Sequence, residues 1–536
     1  MHNLTNLKKL RFLLTDGLCI MPPLIACGVG VLPLLRDGFG MGHDWLLELV
    51  RIAEFHFAVL DGQLPPFWAP DLYGGLGSPI FLFYAPLYLA ISSALVPFAG
   101  SVTGAATGAI VLFSIAGAVL VWRFIRRVCP EFPAAARIGV VLYALHPYLL
   151  TDKWIRNANA EFAALSLLPG VLMGATARKR QSAFWWTSIS LAGVILAHNI
   201  TALTAIALAI AVPIFVHRNL RTLIPICGAI LVALTLTAFF WVPALAFQPL
   251  IRSEDLLTGK FDFHGQFPKI TSFFWPSAFY SGGWLTTVLL AVILLVPVTD
   301  LCARRITRAL GIAAIVFIFL MLRVSTSVWE TLPLLRYEQF PWRFMGPLAV
   351  VLAIGCGIAS TRLPRLRPVW CVEFVILVVA LLNAYPTLRG YEPVPPQLRV
   401  EVEQALTPRG IQTHNLRATV YDEYLPRSAS PVGVHPEEGT ILFRRWAFPV
   451  WSATVDGQPI PLELGSGGLV AVRVPPDKGQ VSLTLLEPPL RKICKGISVL
   501  TAAALVCIAI TFCWRNLRAD RGSMAGLPSW RLRGKS

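Results

Sequence analysis

The sequence predicts an α-helical polytopic membrane protein of about twelve spans, with a small extracytoplasmic β-rich domain before the last span. Three observations predict it. Of the 536 residues, 55% are hydrophobic and 14% charged, and the mean hydropathy is +0.64. A soluble chain could not keep so much apolar surface from water. Apolar stretches of about 20 residues recur, enough to cross roughly 30 Å of hydrocarbon as helix. They do not alternate apolar and polar residues, as the strands of a membrane barrel do.

The first apolar stretch, residues 12–35, follows Lys8, Lys9 and Arg11. It is longer than a signal-peptide core, and no small-x-small cleavage site follows it. It therefore reads as an uncleaved anchor with a cytoplasmic N-terminus. A polar, aromatic, Gly- and Pro-rich loop comes next, from Arg36 to Ser78. It sets Asp37, Asp44, Glu48, Glu54, Asp61 and Asp71 against Arg36 and Arg51, in a chain of formal charge +17. So acidic a loop after the first span suggests an active site on the far side of the membrane.

Thirteen apolar segments can be counted, at 12–35, 80–98, 104–122, 135–150, 160–177, 183–199, 201–216, 222–245, 286–300, 307–322, 344–360, 368–386 and 496–514. Thirteen crossings would put the termini on opposite sides. The basic clusters disagree: Arg123/Arg126/Arg127, Arg178/Lys179/Arg180, Arg218/Arg221, Arg304/Arg305/Arg308, Arg362/Arg365/Arg367 and the tail after Trp514. All are cytoplasmic only if one segment before Arg123 does not cross. Segment 80–98 is the candidate, because it carries Pro79, Tyr84, Pro86, Tyr88 and Pro97 at or inside its ends. It reads as a helix at the outer interface, where Tyr is favoured and Pro tolerated. The outward loops are then 36–103, 151–159, 246–285, 323–343 and 387–495.

Residues 1–390 thus form the transmembrane domain, 391–491 an outer β-rich domain, 492–514 the final span and 515–536 a basic cytoplasmic tail. Short alternating runs mark the outer domain: TILFRRWAFPVWSATVDGQPIPLEL, GLVAVRV and QVSLTLLE. The Asp456-Gly457 step between such runs is a hairpin signal. The bases sit in short inter-helix loops and form no aromatic-interleaved stripe, which argues against nucleic acid as a partner. The ten cysteines avoid both the acidic loop and the outer domain, so no disulfide framework or CxxC metal site is indicated.

Four constellations carry candidate chemistry. Gly42-His43-Asp44 lies just beyond the first span and precedes WLLELVRIAEFHFAVLDG, an amphipathic helical pattern. Asp44 is either a general base toward an acceptor hydroxyl or an N-cap of that helix. The run from Asp152 to Glu161 places Lys153, Arg156 and Glu161 at a span boundary, where charges need a cavity or each other. Glu161 either orients substrate or a metal, or forms a structural pair with Arg156. His198 and Asn199 interrupt an apolar region near its outer end and either cap helices or line a cavity. Arg343, in RYEQFPWRF, is either an interfacial anchor or a fork for phosphate. The loop 246–285 has no diagnostic spacing. There is no P-loop, HExxH or GxSxG, so an energy-driven pump is not indicated.

These pieces occur in a familiar order. Gly42-His43-Asp44, Arg51 and PPFWAPDLYGGLGSPIFLFYAPLYL, then IRNANAEF, LAHNITAL, FFWVPAL and QFPWRF, resemble the landmarks of the bacterial membrane proteins described as 6-pyruvoyl-tetrahydropterin-synthase-related. That label does not imply pterin chemistry. The resemblance runs to about residue 360, and FPVWSATVDGQPIPL resembles the outer β-domain of large glycosyltransferase-type membrane proteins. The group in turn resembles the GT-C glycosyltransferases.

The resemblance implies an inverting transfer of a sugar from a polyprenyl-phosphate donor to a lipid, glycan or protein acceptor, on the outward face of a bacterial inner membrane. Asp44 would be the base. His43, Arg51, Lys153, Arg156, Glu161, His198 and Arg343 would bind substrate, with Arg343 on the lipid phosphate. Aromatics of 67–88 would pack on prenyl chain or sugar. The family's Asp-x-Asp pair is missing, so no metal ligand is assigned and a divalent cation, magnesium or manganese, stays optional. The rivals are a lipid-linked-sugar flippase and a non-catalytic envelope assembly protein.

Overall fold

Hydrogen bonds sort the inter-helix loops onto two faces. The computed structural model describes residues 2–273, 283–365, 369–419, 422–430, 439–474 and 479–524. The expected basic tail lies outside the described residues from 525 on, as does Arg367 of the last inner cluster. On one face, Met41 N donates to Glu392 O at 2.7 Å, and His43 N to Ile155 O at 2.8 Å. There too Arg252 N donates to Leu425 O at 3.3 Å, and Gln339 Nε2 to Leu256 O at 2.8 Å. All five loops expected outside are joined by these bonds. On the other face, Arg127 donates to Met173 O and Thr176 Oγ1, both at 2.8 Å. Arg362 donates to Pro297 O there at 2.6 Å.

By length and composition six helices among the described residues can cross a membrane, or up to nine if each bent pair is one span. The shortfall from the expected dozen is one of length and polarity. Asn159–Ala175 and Gly283–Leu295 have only 17 and 13 residues, and Arg180–Ala197 is rich in Ser, Thr and Gln. Helix α1 (His2–Asp37) ends on the first face, the outer one by the charge expectation, and α2 (Trp45–Leu60) follows on it.

Segment 80–98 turns back as expected. Its helix, Pro86–Ala99, has 14 residues, about 21 Å, too short to cross. Before it, Leu76 O accepts from Trp446 N at 3.0 Å. After it, Glu403 accepts from Val102 N and Thr103 N. Both ends therefore touch the same late outer segment.

The helix through Pro341–Arg362 is the centre of the bundle, 94% of its 18-residue apolar stretch buried, whereas that of Pro489–Thr511 is only 11% buried. Small residues permit that closeness. A Cβ on Gly346 would come 2.6 Å from Leu165 Cδ1, and one on Gly357 2.9 Å from Ala135 O. This central placement puts Arg343 at the outer end of the best-packed helix.

The strands occupy a shorter stretch than expected. Two antiparallel sheets form, one ordered β1 (Thr440–Trp446), β5 (Leu469–Arg473), β4 (Glu463–Leu464) and one ordered β3 (Gln458–Ile460), β2 (Trp451–Val455), β6 (Val481–Leu485). Asp456 and Gly457 turn β2 into β3 with φ of 48° and 79°, the paired positive angles that an Asp-Gly hairpin turn requires. Residues 396–413 are helical instead, as Pro396–Ala405 and Pro408–Thr413. Each opens on a proline at its first turn, where the missing N–H costs nothing.

Candidate active site

The acidic loop is stitched to the second outward turn at its most charged point. The helix Pro133–Ala144 bends by 47° into Pro147–Arg156, and Asn157, at φ 54°, reverses the chain. Against this turn lies Gly42-His43-Asp44. His43 N donates to Ile155 O at 2.8 Å and Asp44 N to Arg156 O at 3.1 Å. Gly42 is required there, because a Cβ would collide with Asn157 Oδ1 and lie 2.6 Å from Ile155 O. Asp44 occupies the N-cap position of α2 but makes no side-chain cap hydrogen bond. Its half-buried carboxylate is thus not consumed by helix capping. Burial lowers the His43 imidazole pKa, and Asp44 opposes that shift.

Glu161, at the start of Asn159–Ala175, is the hub of a buried charge cluster. It accepts from Tyr148 OH at 2.6 Å and from Arg156 Nη2 at 3.0 Å. Arg343 Nε stands 3.6 Å from its Oε2. Arg156 also donates to Tyr148 OH at 3.1 Å, pairs with Asp152 and lies 4.5 Å over the Trp342 ring. Two carboxylates and two guanidiniums thus balance in a small volume, the condition for keeping such charges buried. Arg343 Nη1 donates to Glu338 O and Gln339 Oε1 at 2.9 and 3.0 Å. Its Nη2 meets no acceptor among the described residues. The structural pair expected for Glu161 with Arg156 is present, and Arg343 joins it.

The remaining expected residues divide. His198 caps the following helix, its Nδ1 accepting from Thr201 N at 3.3 Å, while lying within electrostatic reach of Glu161 and Arg343. Arg51 is engaged within the protein. It donates to Glu48 at 2.5 Å, Tyr84 OH at 3.0 Å and Ala418 O at 2.7 Å, so it locks α2 rather than facing the cluster. Lys153 turns away, its Nζ donating to Gly30 O at 2.9 Å on α1. The aromatics of 67–88 also differ from expectation. Trp68 packs on Trp451 and Phe448, Phe83 stacks on Tyr424 and Tyr88 lies against Phe113. Trp68 and Phe83 build the joint between loop and outer domain, and Tyr88 packs into the helix bundle, so none offers an open sugar surface.

Sequence reasoning missed three partners, Tyr148, Glu338 and Tyr424. Tyr148, Asp152 and Arg156 share one face at a spacing of four, a signal that was available. Glu338, held by Thr204 Oγ1 at 3.2 Å, has its carboxyl pushed up to about 8 by burial, with Arg343 opposing. Tyr424, in electrostatic reach of both Arg51 and Arg343, comes from the outer segment, and no local pattern marks it. Among the described residues no three His, Cys, Asp or Glu side chains converge to hold a metal. Both Glu161 oxygens already accept, from Tyr148 and Arg156.

The model of a family described as 6-pyruvoyl-tetrahydropterin synthase related domain, membrane protein, matches residues 81–389, more than half of the chain. The chain belongs to this family. In this family member the matched segment carries Tyr148, Asp152, Arg156, Glu161, His198, Glu338 and Arg343, whereas Asp44 and the strands lie outside it. No curated protein sequence matches the chain. Among solved structures, the arabinofuranosyltransferase AftD from Mycobacteria is similar with a TM-score of 0.43 at 19% identity, covering 70% of this chain and 27% of that one. The Archaeoglobus fulgidus oligosaccharyltransferase in the apo form gives 0.46 at 16% identity, covering 78% and 62%. ArnT from Cupriavidus metallidurans bound to undecaprenyl phosphate gives 0.41 at 15%, covering 74% and 77%. This chain therefore spans less than two thirds of the first two proteins.

Proposed function

We propose that this membrane protein transfers a sugar from a polyprenyl-phosphate donor to an acceptor hydroxyl, on the extracytoplasmic face of a bacterial inner membrane. One observation carries the reading. A carboxylate not used for capping, Asp44, is held by two backbone hydrogen bonds against the turn that presents Arg156, and Arg156 connects through Glu161 to Arg343. Asp44 and Arg343 are thereby linked through the same charged turn, which supports reading them as base and phosphate-binding fork. The order of motifs resembles that of the family, which in turn resembles the GT-C glycosyltransferases, and this supports the same assignment.

In the proposed step the acceptor oxygen attacks the anomeric carbon from the face opposite the phosphate. The bond from that carbon to the phosphate oxygen breaks, and its electron pair leaves with the lipid phosphate. The acceptor proton goes to Asp44. Negative charge grows on the departing phosphate, where the Nη2 donor of Arg343 stabilises it by a charge-assisted hydrogen bond. Glu161 and Tyr148 hold Arg156 and Arg343 in place rather than touching the reacting atoms. Inversion at the anomeric carbon follows from a single displacement.

The test uses purified protein in proteoliposomes with a panel of radiolabelled polyprenyl-phosphate sugars presented on one side only. Labelled product from one outward-presented donor supports the reading. Lipid-linked sugar that crosses the bilayer unreacted would replace it with the flippase reading.

A further inference from the structure

Lys153 points into a cavity that the transfer reading does not use. The cavity, about 240 Å³, lies between α1 and the helices Val102–Val128 and Pro133–Ala144. It is larger than the roughly 150 Å³ apolar cavity that accepts benzene. Its floor is Tyr143, Lys153 and Phe162, each at most 3% exposed. Its mouth is Ile115 and Val119, 54% and 48% exposed, on the bundle's lipid-facing surface.

The floor carries a lysine amine that burial pushes down to about 7, so its charge needs an anion beside it. Among the described residues Gly30 O is the one hydrogen-bond acceptor for Lys153 Nζ, and no carboxylate lies within ion-pair distance. The Trp154 and Phe162 rings stand 5.6 and 5.1 Å away. A buried ammonium beside hydrocarbon is costly unless an anion meets it. Lys153 also sits three residues before Arg156, hence at the outer-leaflet end of the cavity. An apolar slot open to lipid and closed by a cation fits an amphiphile with an anionic head and a hydrocarbon chain.

We propose that this cavity binds a lipid phosphate, with its headgroup on Lys153 Nζ and its chain leaving between Ile115 and Val119. The site is separate from the Asp44 and Arg343 site and does not rest on the transfer reading. The headgroup can belong to a polyprenyl phosphate or to an anionic phospholipid.

The full chain, in nanodiscs, is photolysed with diazirine-tailed polyprenyl phosphate, phosphatidylglycerol or phosphatidylcholine, and cross-links on peptide 110–125 are mapped. Anionic probes are expected to label Ile115 and Val119 at least tenfold above the choline lipid, and the stronger of the two identifies the source. Lys153→Met should cut the anionic labelling at least tenfold, and Lys153→Arg should restore it. Ala118→Phe, which narrows the mouth without touching the charge, should cut it as well. The Asp44→Asn protein should label like wild type, so loss of transfer and loss of this site are distinguishable. Equal labelling by phosphatidylcholine, or labelling unchanged in both Lys153→Met and Ala118→Phe, would overturn the proposal.

Discussion

Replacing Gly42 by Ala should damage turnover far more than folding. The added Cβ would collide with Asn157 Oδ1 and stand 2.6 Å from the Ile155 carbonyl oxygen. Backbone is the obstacle, so no side-chain rotation relieves it. Ordinary contact at 3.4 Å or more requires the Gly42-His43-Asp44 segment to retreat by about 1 Å, a displacement that costs about 100-fold in rate. The same retreat stretches the bonds from His43 N to Ile155 O and from Asp44 N to Arg156 O, each worth about 1 kcal/mol net. A loss of about 2 kcal/mol leaves a chain of this size folded. The assay is steady-state sugar transfer beside a thermal unfolding curve. Gly28→Ala, where a Cβ meets nothing within 4 Å, is the control and should match wild type. A Gly42→Ala protein within twofold of wild-type turnover would refute the idea that this contact positions Asp44.

Three further outcomes are expected. Arg343→Lys removes the planar fork and should lower kcat/KM for the lipid-linked donor by about tenfold to a hundredfold, the 1.5–3 kcal/mol of a charged hydrogen bond. Tyr148→Phe removes a donor to Glu161 at 2.6 Å and an acceptor for Arg156 at 3.1 Å, and should destabilise the fold by about 1–3 kcal/mol in denaturation. The folded Glu338 carboxyl titrates at about 8 against 4.5 when unfolded. Between those values the native state holds the extra proton, so stability should fall as pH rises from 4.5 to 8 and level off above. Glu338→Gln should flatten that slope in unfolding temperatures measured across the window.

The sorting of loops onto two faces was the most legible property. Arginine clusters such as Arg126/Arg127 and Arg304/Arg305 mark loop faces because charge at a helix end has only one favourable side. The same count turns segment 80–98 back, and Asp456-Gly457 marks its own hairpin through the positive φ it tolerates. Roles within the site were less legible. Lys153 and Arg156 are near neighbours in sequence, yet the turn at 152–156 sends one to α1 and the other to Glu161. Arg51 looked available until Glu48, Tyr84 and Ala418 O claimed it. Tyr424 reaches Arg343 and Arg51 from the outer segment. Such partnerships are set by tertiary packing, which no local spacing encodes. The polarity shift near 391 precedes the strands, whose pairing begins at Thr440, because polarity reports composition and not strand pairing.

The most direct measurement is single-turnover sugar transfer by Asp44→Asn beside wild type, with donor affinity measured on the same preparations. Asn keeps the size and the backbone bonds and cannot take the proton. A fall of about 10² to 10⁴ in rate is expected, with donor affinity within twofold and the unfolding temperature unchanged. Transfer by Asp44→Asn within about tenfold of wild type, outside the range that loss of a general base produces, would contradict the assignment of Asp44 as base.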